Sequence, residues 1–516
     1  MPNLSRLQRQ AYSSFQDGDL NRTEKLCAGI LEHRPDDFDA LHLLGMLNFQ
    51  RQRMVEALHF LSAALKANSA SSDAMSNLGL ALHATGRLDE AISSFRSALQ
   101  LAPDHPEILY NLANSCLELG RLDDALSSYE GALAQAPGHV GALVNRGNTL
   151  LRLNQPMRAI ASYDTALTAM PNHPQILTNR GHALRRLDRP LEALTDFQTA
   201  LAAAGEFAEA HFEAAMTHLT LGDFDAGWKE YEWRWKTAAF ARQRRPFQSG
   251  PWLGEQPVSG KTILLHAEQG FGDTIQFIRY APLLARQGAK VVCEVQAELR
   301  PVLSQLEDVA VVASGEPLPA FDLHCPLLSL PLACGTKLQT IPAAAPYLAA
   351  PTERVQYWRD RLPRGRPRVG LVWSGSPSHK NDGNRSIPLA RLAKLFEDLP
   401  ARCFSLQRDL RNSDAEVLRQ LPDLVHLGEH FRDFADTAAV IALLDVVVSV
   451  DTAVAHLAGA LGKPVLMLLP HAADFRWMRG CDDSPWYPSA KLFRQPAFGD
   501  WDSVIARVGD EIRRLN

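Results

Sequence analysis

The sequence predicts an all-α superhelix of short helical repeats followed by two α/β lobes, each built on a parallel sheet. Three observations carry this. Over residues 1–240 several position classes recur with a period of 34. From residue 261 onward, short β-branched runs alternate with helical stretches, as in a doubly wound sheet. Near the end, DVVVSVDTAVAHLAGALGKPVLMLL (445–469) reads as a buried strand, a sharp turn, a short helix and a second buried strand. Residues 241–260 mix charge, Pro and Gly without periodicity and read as a linker. The expected division is therefore 1–240, 241–260, 261–365 and 366–516.

In the first segment, Pro35, Pro103, Pro137 and Pro171 fall on one 34-residue grid, with Ser69 and Gly205 at the remaining points. Ten residues beyond come Gly45, Gly79, Ala113, Gly147, Gly181 and Ala215. Phe95, Tyr129, Tyr163, Phe197 and Tyr231 share another phase, and Gly86, Gly120 and Gly222 mark turns. This matches the tetratricopeptide pattern, with small residues where two helices cross closely. About seven units are expected, starting near residues 4, 38, 72, 106, 140, 174 and 208. Stacked units form a superhelix with a concave groove. Asn77, Asn111, Asn145 and Asn179, each 34 apart, should face that groove as a ladder. A carboxamide both donates and accepts, which suits the backbone of an extended peptide. The alternative is that these amides only solvate the groove. FDAGWKEYEWRW (224–235) reads as a capping helix packed on the next domain.

Composition narrows the function classes. The 516 residues carry 53 basic and 58 acidic side chains, a net charge of −5. There is no overall basic footprint for nucleic acid or for an anionic membrane. The first residues, MPNLSRLQRQAY, contain no apolar stretch, and no apolar run is long enough to span a bilayer. A cytoplasmic protein without a membrane span is expected. The seven cysteines are scattered, with no CxxC, which argues against a disulfide framework or a structural zinc site.

In the first lobe, the strand KTILLHA leads into EQGFGDTIQFIRY. Gly270 and Gly272 open a tight strand-to-helix turn, and Asp273 sits where the helix begins. Asp273 is either a helix cap or a general base at a strand's carboxyl end. His266 and Glu268 flank the same turn. In the second lobe, the strand RVGLVWSGS is followed by a loop holding His379, Lys380, Asp382 and Arg385. A Lys and an Arg on one loop suit phosphate, although an exposed polar loop reads the same way. Ile387 to Leu399 has the spacing of an amphipathic helix, and Gln407 ends another strand. Asp451-Thr452 opens a helix directly off a strand. Such a turn points free N–H groups at the ligand crevice and can grip the phosphate of an activated sugar. Trp477, Trp486 and Tyr487 either line the cleft or pack the core.

GFGDTIQFIRYAPLL and DVVVSVDTAVAHLAGALGKPVLML resemble the first helix and the donor-binding segment of bacterial heptosyltransferases. Those are inverting GT-B enzymes with two Rossmann-like lobes. GLVWSGSPSHKNDGNRSIPL is similar to the version found when such a catalytic region is fused to tetratricopeptide repeats. The fusion resembles bacterial glycosyltransferases that modify flagellin, and it parallels the eukaryotic O-GlcNAc transferase, whose asparagine ladder holds peptide. The resemblance implies an inverting, metal-independent protein O-glycosyltransferase. Its catalytic base would be Asp273. Lys380, Arg385, Asp451, Thr452, His456 and Gln407 would form the donor side, and Asn77, Asn111, Asn145 and Asn179 would hold the acceptor peptide. A nucleotide-sugar is the implied co-substrate, with a CMP-linked nonulosonic acid as one suggested donor, and flagellin is the implied client. Ala453 departs from the pattern, where Gly usually follows the Thr, which speaks against ADP-heptose. The alternatives are a heptosyltransferase-like enzyme acting on lipopolysaccharide or another glycan, and a non-catalytic tetratricopeptide adaptor.

Overall fold

The structure, a computed structural model, describes residues 4–365, 367–379, 381–396 and 399–515. It separates into two compact units, Met1–Ala183 and Leu184–Asn516.

The first unit is a stack of helix pairs. Leu4–Gln16 pairs with Leu20–His33, Phe38–Gln50 with Met54–Ala67, and Ser72–Ala84 with Leu88–Leu101. Pro106–Glu118 then pairs with Leu122–Gln135, and Val140–Arg152 with Pro156–Ala169. The small-residue positions explain the close crossings. A Cβ on Gly45 would lie 2.5 Å from Leu61 Cγ, and one on Gly79 2.7 Å from the Phe95 ring. Phe95, Tyr129 and Tyr163 are fully buried, so each aromatic ring fills the space that its small partner leaves. The turn inside each pair needs a left-handed residue. Gly18, Gly86 and Gly120 supply it with φ of 76°, 74° and 80°. Gln52 and Asn154 take the same conformation at φ 59° and 60°. The expected turn glycines were therefore only some members of a fully repeated conformation.

Two further pairs, Pro174–Arg186 with Pro190–Ala203 and Ala208–Thr220 with Phe224–Tyr231, continue the array, and the unit boundary falls within the first of these helices. The seven pairs begin at the seven starts the period predicts. Leu219, Phe224, Trp228 and Tyr231 share one core with Ile263, Phe277 and Trp486 of the second unit, which places the last repeat in that unit. The capping reading of FDAGWKEYEWRW holds, with Trp228 packed edge-on against Phe277 and Phe475.

The second unit carries two parallel sheets. β1 (Thr262–His266), β2 (Lys290–Val295), β3 (Val309–Ala313) and β4 (Leu323–Pro326) form the first, in the order β3-β2-β1-β4. β5 (Arg368–Val372), β6 (Arg402–Ser405), β7 (Leu424–His426), β8 (Val446–Val450), β9 (Val465–Leu469) and β10 (Ala490–Arg494) form the second. Its order is β10-β9-β8-β5-β6-β7, a doubly wound sheet that reverses direction between β5 and β8. All five residues of β8 and of β9 are buried, as strands covered on both faces require. The helix expected over Ile387–Leu399 is shorter: an α-turn at Leu389–Leu392 runs into a 3-10 turn at Ala393–Phe396. Trp477, Trp486 and Tyr487 are each about 1% exposed and belong to the core.

Candidate active site

A doubly wound sheet offers its ligand crevice at the carboxyl ends of the strands where the order reverses. In the second lobe those strands are β5 and β8, paired as far as Val372 and Ser449. The loop after β5 carries His379 and Arg385, and the turn after β8 carries Asp451 and Thr452. Lys380 lies outside the described residues. Thr452 caps the Ala453–Ala460 helix with extended backbone and makes no side-chain cap bond; its hydroxyl meets Ser449 Oγ at 3.0 Å. Arg385 crosses from one loop to the other and donates to the Asp451 carbonyl at 3.0 Å. Gly375 makes room for it, because a Cβ there would run into the guanidinium. Burial pushes the Asp451 carboxyl up, but His456, Arg385 and Arg476 outweigh it and hold the group below its usual range. Burial and Arg385 push the His379 imidazole down, against Asp451, Asp474 and Asp382.

Asp273 comes from the first lobe, in the short helix Phe271–Phe277 after β1. Its Oδ2 accepts the Gly270 N–H at 3.0 Å, and its Oδ1 pairs with Arg476 of the second lobe. Asp273 is not the N-cap, which is Gly270, but the third residue of the helix; it closes the helix start from there and turns its other oxygen to the second lobe. The lobes touch at this point. A Cβ on Gly272 would lie 2.8 Å from His456 Cδ2 and 3.6 Å from the Ala453 Cα. His456 cannot retreat, because its Nδ1 meets the Tyr487 hydroxyl at 2.9 Å and its ring stacks on Trp477. Gly272→Ala should therefore force the lobes apart, with about 1–3 kcal/mol lost to overpacking. A lower Tm would register it; an unchanged variant would mean that the lobes separate freely here.

Two expected donor residues turn out to be internal struts. Gln407 is 6% exposed, donates from Nε2 to the carbonyls of Ser374 (3.0 Å) and Asp409 (3.1 Å), and accepts from the N–H groups of Trp373 and Ser374. A carboxamide with both hydrogens and both lone pairs engaged has nothing left for a ligand. His456, 4% exposed, sits between Tyr487 and Asp451, whose Oδ1 is 3.6 Å from Nε2. It positions Asp451 instead of opening to the crevice.

In the first unit the four asparagines are half-buried. Asn145 Nδ2 donates to Asn114 Oδ1 at 2.9 Å, and Asn179 Nδ2 donates to Asn148 Oδ1 at 3.0 Å. Those acceptors also take the Tyr129 and Tyr163 hydroxyls. Asn77 meets His42 at 2.9 Å. Three of the four amides thus bond to the preceding repeat and fix its register. Asn77 lines a cavity of about 960 Å³ together with Tyr12, Phe38, His42 and His105.

With this geometry in hand, the comparisons with known proteins are informative. The tetratricopeptide repeat profile matches five overlapping stretches between residues 56 and 232. The glycosyltransferase family 9 (heptosyltransferase) profile matches residues 430–497, which include β8, the Asp451 turn and Arg476. The chain thus joins a stretch that matches tetratricopeptide repeats to one that matches glycosyltransferase family 9. A relative from Caulobacter vibrioides, Protein FlbA, is 26% identical over 340 residues, 60% of this chain and 55% of that protein. The chain thus spans little more than half of that relative's length. Solved structures that resemble parts of the chain include a MamA protein (19% identity, 33% of this chain and 94% of that one, TM-score 0.32). Another is a tetratricopeptide repeat protein from Parabacteroides merdae (16% identity, 44% and 91%, TM-score 0.37).

The family 9 segment also contains residues that sequence reasoning missed. Arg476 and Asp474 lie in the loop after β9, and Arg476 joins Asp474 to Asp273 of the first lobe. The signal was present: an Arg beside an Asp in DFRW, just past the carboxyl end of a buried strand. Glu268, flagged only as flanking the turn, is 2% exposed at its side chain and bound to the fully buried Arg234. Gln269 Nε2 donates to the Tyr231 hydroxyl at 3.0 Å. The turn that presents Asp273 is thus anchored to the end of the last repeat. Among the described residues no helix is long and apolar enough to cross a membrane.

Proposed function

We propose that the chain is a protein O-glycosyltransferase that moves a sugar from a nucleotide-sugar to Ser or Thr of a client held by the repeats, with flagellin as the client and inversion at the anomeric carbon. The observation that carries this reading is the meeting of Asp273, from one lobe, with the Asp451–Thr452 turn and Arg385, from the other, around Arg476. Asp273 takes the proton of the acceptor hydroxyl as that oxygen attacks the anomeric carbon. Arg385 and the start of the Ala453–Ala460 helix offset charge on the departing phosphate without a metal ion. The cavity at Asn77 and the amide-lined repeats supply a surface for an extended segment of client.

A thermal-shift panel of UDP-, GDP-, ADP-, CMP- and dTDP-sugars tests this directly. One donor class should raise Tm, since saturation a hundredfold above Kd adds about 2.7 kcal/mol. Incubation with that donor and purified flagellin should then add one sugar mass per modified site. A donor that stabilises the protein while flagellin stays unmodified would favour a glycan acceptor, in keeping with the heptosyltransferase description of the matched family. Stabilisation by none of the five would favour an adaptor.

A further inference from the structure

Arg476 reaches both walls of the site. It lies in the Phe475–Trp477 turn of the second lobe, yet its Nε donates to Gln276 Oε1 at 2.7 Å and its Nη2 pairs with Asp273, both in the first lobe. Nη1 holds Asp474 at 2.7 Å. The guanidinium packs over the Phe475 ring, 4.4 Å from its centroid, and the residue is 8% exposed. Its charge also reaches the donor turn, where it helps to hold Asp451 ionised. One buried cation thus serves the candidate base and the donor side together.

This arrangement has a chemical consequence for Asp273. A base needs a free lone pair on the oxygen that takes the proton. Here each oxygen keeps a second lone pair, but an acceptor hydroxyl would have to share Oδ2 with the Gly270 N–H or Oδ1 with the Arg476 guanidinium. Phosphate presents several oxygens to the same planar fork and competes well for it.

We propose that Arg476 is shared between Asp273 and the donor phosphate: binding of the nucleotide-sugar draws the guanidinium off Oδ1 and frees that oxygen to act as the base. The inference rests on the donor-cleft reading above. In the transfer, the bond from the acceptor oxygen to the anomeric carbon forms as the carbon–phosphate oxygen bond breaks. The hydroxyl proton goes to Asp273, the bonding electrons leave with the phosphate, and Arg476 offsets the charge that arrives there. The base is thereby uncovered only when a donor is in place.

Calorimetric titration of the full chain with inorganic pyrophosphate and with CMP tests this on four proteins: the parent, Asp273→Asn, Arg476→Gln and the double variant. Asp273→Asn removes the competing carboxylate and should bind phosphate about fivefold more tightly. Arg476→Gln should bind more weakly, and adding Asp273→Asn to it should bring little gain, because no guanidinium is left to release. Equal tightening in both backgrounds would reduce the effect to simple charge repulsion and overturn the proposal. No tightening in Asp273→Asn, with parental binding measurable, would also overturn it while leaving the donor reading intact. A parent that binds neither probe would overturn both. Should Arg476→Gln fail to fold, Arg476→Lys replaces it, keeping the charge but losing the fork.

Discussion

Asp273→Asn should slow sugar transfer by two to four orders of magnitude, roughly 10²–10⁴-fold, and leave the protein folded. Asn keeps an oxygen for the Gly270 N–H, so the helix start survives. The side chain is 20% exposed, and its replacement is nearly isosteric, so no cavity opens in the core. Arg476 retains Asp474 and Gln276 as partners. What disappears is the carboxylate proposed to take the hydroxyl proton. Single-turnover transfer followed by intact mass, alongside a thermal melt, separates lost chemistry from lost structure. A folded Asn variant that transfers at the parental rate would remove Asp273 from the mechanism.

Arg234→Met should destabilise the catalytic half by about 3–5 kcal/mol, the usual result of stripping one partner from a buried ion pair. Arg234 is fully buried, and its Nη2 reaches both Glu268 oxygens at 3.1 Å and Ser329 at 2.7 Å, while Nη1 holds Glu232 at 2.7 Å. Without it, two carboxylates lose their cation in a dry site. Burial already pushes the Glu268 carboxyl up to about 7, even with Arg234 pulling it back. The variant's Glu268 would be pushed higher still. Its ionised form is the costly one, so the deficit should be largest above neutrality. It should shrink as pH falls to about 7, below which Glu268 is protonated in both folded proteins and the unfolded chain, common to both, cancels from the difference. Melting curves of both proteins across pH 5–8 would show the two Tm traces converging on the acid side. A deficit independent of pH would assign the loss to packing instead.

The repeats were the most legible part of the sequence because their signal is long and redundant. A period held over seven units fixes each start without any tertiary information. The turns were harder. Gly86 announces a left-handed residue, but Gln52 and Asp188 adopt the same conformation with side chains that do not advertise it. Ile387–Leu399 shows a different limit, since amphipathic spacing does not distinguish an α-turn from a 3-10 turn over so short a span.

At the site, sequence order hides what distance decides. The strand ends and the Asp451 turn were readable because local pattern makes them. Whether Gln407 contacts a ligand or braces a loop depends on Ser374, which lies 33 residues away. DFRW marked Arg476 as a polar residue past a strand end, but its partners Asp273 and Gln276 are 203 and 200 residues distant, and those the sequence does not show. Local chemistry nominates polar residues at strand ends, and only the fold sorts those that face the crevice from those that hold it in shape.

The last helix pair has two lineages in one segment. Its period belongs to the repeats, but its apolar face belongs to the core beneath the sheets, with Trp228 against Phe277 and Phe475. The sixth pair is tied in as well, because Arg479 holds Asp188 in the turn between its helices. An engineered exchange of repeat arrays therefore has to join the chain before the sixth pair, since the unit boundary falls within its first helix.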